Sequence, residues 1–161
     1  MKKINRLFVA LVAVIACVSC QNDGNIGKYF GSWRFDAYIV DGKEVTELKV
    51  GESTIVPLDH VTISFQNNVV NIVTDLDDYL NNYSQFGTWS DEGDTFILDF
   101  THVDASNVDG ISLYNAPAWL GMISDEPMKM TVSDSSSRAF TLTWIDPRSG
   151  VKRVYKLHKT W

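Results

Sequence analysis

The sequence predicts an all-β domain folded as an up-and-down antiparallel barrel of eight to ten strands, and three observations predict it. Apolar and polar residues alternate with period two through nearly every segment from Tyr29 onward, the pattern of strands with one face buried. Turn residues close the alternating runs, among them Asp41-Gly42, Asn67-Asn68 and Asp91-Glu92-Gly93-Asp94, which tolerate positive φ or bond their side chains back to the backbone. A sheet of that many twisted strands curls and closes, because closure removes its two exposed edges.

The first strand is the clearest. Tyr29, Gly31, Trp33, Phe35, Ala37 and Ile39 fall on one face, and Ser32, Arg34 and Asp36 on the other. Asp41-Gly42 follows as a tight hairpin turn. Segments 45–50 and 54–58 continue either as one strand broken at Gly51 or as two short ones. Val61, Ile63 and Phe65 then alternate with Thr62, Ser64 and Gln66, and Asn67-Asn68 turns the chain into 69–74. Segments 85–90 and 95–101 form the next hairpin, and 128–133, 140–145 and 151–159 make a plain meander with turns at 134–137 and 146–150.

Ahead of this domain stands an export signal. Lys2, Lys3 and Arg6 precede the apolar run 7–16, and Cys17 and Cys20 follow at once. Roughly 10 apolar residues suit a cleaved signal, whereas about 20 are needed to span a bilayer. The pattern is that of a bacterial lipoprotein whose acylated cysteine becomes the mature N-terminus. Cys20 is the preferred site, because polar Gln21-Asn22-Asp23-Gly24-Asn25 behind it suits a tether; cleavage before Cys17 is the alternative. The expected organisation is a signal over 1–19, the lipidated cysteine and tether over 20–27, and the barrel over 28–161. No cysteine follows Cys20, so the apolar core must hold the domain without disulfides.

Without residues 1–19 the 161-residue chain keeps 142, enough for one domain that buries roughly 68–70% of its unfolded surface. The signal removes 3 of 14 basic residues and none of the 20 acidic ones, leaving a net charge of −9. That charge makes nucleic acid an unsuitable partner and leaves the membrane to the N-terminal lipid alone. The expected location is the cell envelope, at the outer membrane, on its periplasmic face or at the cell surface.

Gly31-Ser32-Trp33, early in the first strand of a small barrel, resembles the Gly-x-Trp motif of lipocalins, and the whole mature chain resembles the lipocalin-like lipoproteins common in Bacteroidota. The resemblance implies that Trp33 packs across one end of the barrel under a basic residue from the last strand. Arg153 is the candidate, with Lys152 or Lys156 as substitutes. It also implies a small apolar or amphipathic ligand. Read from the residues alone, Trp33 is equally a large core aromatic.

Catalytic constellations are absent from the text. His60, His102 and His158 lie far apart, and no glycine-rich phosphate loop or nucleophile elbow occurs. Asp75, Asp77 and Asp78 cluster, but without the glycine and distal glutamate of a calcium loop. The expectation is a protein that is not an enzyme and uses no metal or cofactor.

The anomaly is the connection from His102 to Pro127, 26 residues long where loops beyond about 12–15 are usually functional or disordered. It carries Val103, Ile111, Leu113, Tyr114, Trp119, Leu120, Met122 and Ile123, too much apolar surface to leave in water. Asn115 and Pro117 suggest a short helix over 116–123. The segment is either a plug that completes the core or the flap of a ligand pocket. In an up-and-down meander 75–84, 102–127 and 146–150 share one end, and the short turns at 91–94 and 134–138 the other. Tyr79, Tyr83, Tyr114, Trp119 and Met122 are therefore candidate ligand-binding residues of an elaborate rim. Two functions compete: a carrier of a small apolar or amphipathic molecule, and an envelope interaction, assembly or inhibitor protein with a filled barrel. A chamber of about 300 Å³ lined by aromatics favours the carrier, and a filled interior the interaction protein.

Overall fold

The computed structural model describes residues 26–50, 54–75, 83–101, 107–108, 111–112 and 115–160. A four-residue helix α1 (Ile26–Tyr29) leads into β1 (Gly31–Val40), which is followed by β2 (Lys43–Glu44), β3 (Glu47–Val50), β4 (Thr54–Pro57), β5 (Val61–Gln66) and β6 (Val69–Thr74). Then come β7 (Ser84–Asp91), β8 (Thr95–Asp99), β9 (Asn107–Val108), β10 (Ile111–Ser112), β11 (Met128–Ser133), β12 (Ala139–Ile145) and β13 (Lys152–Lys159). Eight of these strands pair antiparallel in the order β13-β12-β11-β8-β7-β6-β5-β1, and β13 pairs with β1 to close the barrel. Sequence neighbours are spatial neighbours throughout, the up-and-down topology that the alternation predicts.

The turns work as their residues dictate. Asp41 and Gly42 both take positive φ (47° and 81°), as a two-residue hairpin requires, and Asn67 (52°) does the same between β5 and β6. Inside, Trp33, Phe65, Phe96 and Phe140 are fully buried, and Tyr29, Phe65, Trp89, Phe96 and Phe140 meet at 5.0–6.2 Å, mostly edge to face.

Three expectations need correction. The alternation of β1 does not run unbroken: the register against β13 shifts between Phe35 and Ala37, so Asp36 is an extra, bulged residue. Beyond the bulge the phase inverts, leaving Ala37 and Ile39 half-buried and turning Tyr38 into the core at 4% exposure. Segments 45–50 and 54–58 add no barrel strand, because β3 and β4 pair only with each other as a hairpin beside the barrel. The short helix expected over 116–123 is one 3-10 turn, Ala118–Leu120, because Pro117 flanks it on one side and Gly121 stops it at φ 70° on the other.

The two ends differ as expected. The short turns 67–68, 92–94 and 134–138 lie at the end where β1 begins, and connections 41–60, 75–83, 100–127 and 146–151 all emerge at the other.

Candidate functional site

At the plain end, Trp33 is completely buried, donates its indole N–H to the Tyr29 carbonyl at 2.7 Å and packs edge-on against Phe140. The cation over its ring is Lys159, with Nζ 5.3 Å from the centroid. Gly31 makes this possible, since it adopts φ 119° and a Cβ there would stand 2.9 Å from the Lys159 side chain. Arg153, Lys152 and Lys156, expected over Trp33, are therefore not its cover. Register explains the correction: Trp33 pairs with Lys159, whereas Arg153 pairs with Val40, six residues and roughly 20 Å further along the strand.

Arg153 serves the elaborated end. Its guanidinium lies 5.4 Å over the Trp144 ring and against Gly121, where a Cβ would come within 2.1 Å of Nε. The glycine is required twice, by its positive φ and by this approach. Segment 115–123 enters the barrel mouth here. Leu120 is fully buried, and Ala116 and Met122 nearly so, at 5% and 4%. Met122, a candidate ligand-binding residue of the rim, is buried in the core, as the plug reading of this segment has it. Trp119 is half-buried and bonded to Gln85 Oε1 at 3.2 Å; Tyr83 is half-buried against the core. Gln85 Nε2 also reaches the Ala116 carbonyl, and Ser124 Oγ accepts the Ala116 N–H.

Two tyrosines grip this segment. Tyr38 and Tyr155 stack with centroids 5.1 Å apart and planes 9° from parallel, and both hydroxyls donate to the Leu120 carbonyl, at 2.8 and 2.9 Å. Burial raises both phenols above the ordinary tyrosine value, Tyr155 well above it, against the lowering effect of the Arg153 charge. Both are therefore fixed as donors. Arg153 is less well provided for: its side chain is 17% exposed, and Nε and Nη1 have no hydrogen-bond partner among the described residues. Asp146 Oδ2 lies 3.9 Å from Nη1, beyond hydrogen-bond reach, and that carboxylate already accepts from Ser149 Oγ and the Arg148 N–H. A buried donor without an acceptor costs about 1–3 kcal/mol, and more when it is charged.

This polar cluster was missed in the sequence. Its one available signal was that a buried tyrosine must find an acceptor, but the Asp36 bulge hides the fact that Tyr38 is buried. Cys17, Cys20, Asp77, Asp78, Tyr79, His102 and Tyr114 lie outside the described residues. Among those described, no group of three or more His, Cys, Asp or Glu could hold a metal, and no helix is long and apolar enough to cross a membrane. The histidines stay apart: the His60 ring meets the Asp75 carbonyl, and His158 lies 2.7 Å from Asp36.

The inward-facing described residues form one contiguous apolar cluster. Grooves formed by described residues lie on the outside. One of about 520 Å³ is lined by Ser32, Arg34, Thr62, His158 and Thr160, and one of about 290 Å³ beside the mouth is lined by Ile123, Glu126, Pro127, Lys129, Trp144, Ile145 and Pro147.

No family model matches the chain, and no curated protein matches it. Among solved structures it is similar to a lipocalin-like protein from Bacteroides uniformis ATCC 8492, with 19% identity over 83% of this chain and 99% of that one and a TM-score of 0.49. It is also similar to an uncharacterized protein from Bacteroides eggerthii DSM 20697, with 12% identity over 80% of this chain and 98% of that one and a TM-score of 0.47.

Proposed function

We propose that the protein is a non-enzymatic barrel of the cell envelope, lipid-anchored through Cys20 at the outer membrane, that binds a small amphipathic molecule at its elaborated end when segment 115–123 withdraws. The observation that carries this reading is the arginine under the plug. A segment serving only as core has no need of a guanidinium beneath it with two nitrogens unpartnered, since replacing an imperfectly paired buried charge by an apolar side chain is often neutral or stabilising. The guanidinium beneath segment 115–123 has two nitrogens without a hydrogen-bond partner among the described residues and a 3.9 Å ion pair to Asp146, and this incomplete satisfaction supports a binding site there.

The experiment is native mass spectrometry of the mature protein purified from its own host, as wild type and as Leu120→Ala. The expected result is a small amphiphile on the variant in greater proportion than on the wild type. If both are folded and bare, the reading falls. A second reading then takes its place, favoured by the packed interior: a filled barrel whose elaborated end contacts another envelope protein. Anchoring has its own check. Labelling with a fatty-acid analogue should mark the wild type and Cys17→Ala but not Cys20→Ala, and the reverse pattern would move the mature start to Cys17.

A further inference from the structure

We infer that the outer wall of the barrel carries an oxyanion site, for the phosphoryl group of a polar molecule, in the groove of about 520 Å³ lined by Ser32, Arg34, Thr62, His158 and Thr160. The groove lies outside the barrel, and the site is independent of the reading above. Its lining is the first reason. All five side chains carry a hydrogen-bond donor, none is a carboxylate and none is a large apolar group, in a chain with 20 acidic residues against 14 basic ones. An apolar ligand gains nothing on such a surface, and a metal cation finds no carboxylate there. Register is the second reason. Arg34 on β1 pairs with His158 on β13 and with Thr62 on β5, so two nitrogen donors and a hydroxyl stand in one row across three strands, with neighbouring Cβ atoms about 4.5–5.5 Å apart. Ser32 and Ser64 form the next row, and Thr160 fixes it by donating its N–H and its hydroxyl to the Ser32 carbonyl, each at 3.0 Å. The Ser32 and Ser64 hydroxyls are 2.9 Å apart, so one proton is shared between them and the other remains to be donated. These rows are part of the strand wall and not of a loop, which sets the donors in place before a ligand arrives.

The neighbouring acids hold the two nitrogen donors without entering the groove. Asp36, the extra residue of the β1 bulge, brings Oδ1 within 2.7 Å of His158 Nδ1, which leaves Nε2 as the ring nitrogen for a ligand. Asp75 Oδ2 stands 3.9 Å from Arg34 Nη2, beyond hydrogen-bond reach, with its side chain 71% exposed. Exposed Lys156 shares the outward face of β13 with His158, and Ala139, the partner of His158 on β12, brings no charge. The planar guanidinium takes two oxygens of a phosphoryl group and protonated His158 a third, with Thr62 and the remaining serine proton beside them. The groove is larger than a phosphate ion, so the phosphoryl group belongs to an ester whose polar body fills the rest. Because each cation already has an acid near it, affinity rests on directed bonds more than on net charge and is modest.

A free phosphate ester and a phospholipid headgroup present the same chemistry, and the test separates them. The first arm is NMR titration of the purified protein with inorganic phosphate, glucose 6-phosphate and glucose, at low salt and about pH 6.5, above the second phosphate pKa of about 6. Both phosphates should shift the amides of residues 32–34, 62 and 158–160, the ester binding more tightly with a Kd of about 1 mM or below, and glucose should shift none of them. Arg34→Gln should weaken the ester about tenfold, the loss of one charge-assisted bond, and His158→Gln should weaken it as well. Both side chains are nearly half exposed, at 45% and 43%, so neither change touches the core. The second arm is sedimentation of wild type and Arg34→Gln with phosphatidylcholine vesicles that carry or lack phosphatidic acid; a lipid anchor contributes equally to both proteins. Binding of the free ester that depends on Arg34 supports the site with a soluble ligand, and dependence on Arg34 with phosphatidic acid alone supports it with a headgroup. Full binding by Arg34→Gln, or no Arg34-dependent binding in either arm, overturns it.

Discussion

Each end of the barrel carries a tryptophan with a cation over its ring, yet the two are finished differently. At the plain end Lys159 covers Trp33, the indole N–H is bonded to the Tyr29 carbonyl, and the ammonium sits near the surface where water can serve it. Among the described residues, the buried side-chain nitrogens without a hydrogen-bond partner there are the uncharged indole N–H of Trp89, set among aromatic rings, and His158 Nδ1, which has the Asp36 carboxylate 2.7 Å away. At the elaborated end Arg153 covers Trp144, but the guanidinium lies under an inserted loop with two nitrogens unpartnered. The same pairing of cation and indole is thus a finished closure at one end and an unfinished one at the other. Structure that serves stability alone tends toward the first, and the second is the observation on which the proposed binding site rests.

The largest expected effect breaks the plain end. Trp33→Ala removes a completely buried indole from the aromatic cluster and should cost about 3–5 kcal/mol in chemical denaturation, with no gain in binding anywhere. A loss below about 1 kcal/mol would mean that this end is not closed by Trp33. Leu120→Ala comes next at about 2–4 kcal/mol, the cost of truncating a buried leucine whose site can partly collapse. The contrast between the ends lies in what accompanies the loss. If Leu120→Ala also leaves amphiphile binding unchanged, the two ends are energetically alike and the elaborated one is only a plug.

Much of this contrast was legible in the sequence and its decisive part was not. Alternation and turn residues fix the eight wall strands and the two unequal rims, because burying one face of a strand imposes period two and each hairpin needs its positive-φ residues. The long apolar connection announces that something folds over the mouth. Three features stay hidden for physical reasons. The single extra residue at Asp36 inverts the phase of the strand beyond it, so Tyr38 faces inward where alternation puts Ala37 and Ile39. Which basic residue covers Trp33 depends on closing register, a long-range property: Arg153 and Lys159 are both on β13 but at opposite barrel ends. The Leu120 carbonyl is a backbone atom, and its role as the acceptor for Tyr38 and Tyr155 leaves no trace in residue type.

A smaller effect sharpens the comparison by changing only the cations. Lys159→Met deletes a satisfied cation over an aromatic face and should lower stability by about 0.5–1 kcal/mol. Arg153→Met deletes one with two of its three nitrogens lacking a hydrogen-bond partner among the described residues, while Asp146 keeps its bonds from Ser149 and Arg148. It should change stability by less than about 1 kcal/mol or raise it. Thermal melts of the two variants side by side give the sign. A loss at Arg153→Met larger than at Lys159→Met would show that the arginine is a structural strut and remove the argument for a covered site.

The smallest effect concerns the clasp that ties the plug to the neighbouring rim turn. Arg148 bridges Asp125 and Glu126, just beyond segment 115–123, to the 146–150 turn. The Arg148 hydrogen bond holds the Asp125 carboxyl below its ordinary value, and the Ser149 hydroxyl, followed by the Arg148 backbone N–H, does the same for Asp146. A carboxyl whose pKa is depressed in the folded state stabilises it fully above the unfolded value, about 3.9, and loses that contribution as pH falls through the lower, folded value. The clasp should therefore be intact at neutral pH and open only below about pH 4. Arg148, Asp125 and Glu126 are solvent-exposed and salt screens them, so the effect of the clasp on global stability should be slight. It should be visible locally, as faster amide hydrogen exchange at Leu120 and Gly121 once the pH-dependent chemical rate is divided out. Arg148→Ala should produce that faster opening already at neutral pH and abolish its acid dependence, while the amides around Trp33 change in neither case. Equal acceleration at both ends would show that acid loosens the whole barrel and that the clasp has no separate hold on the plug.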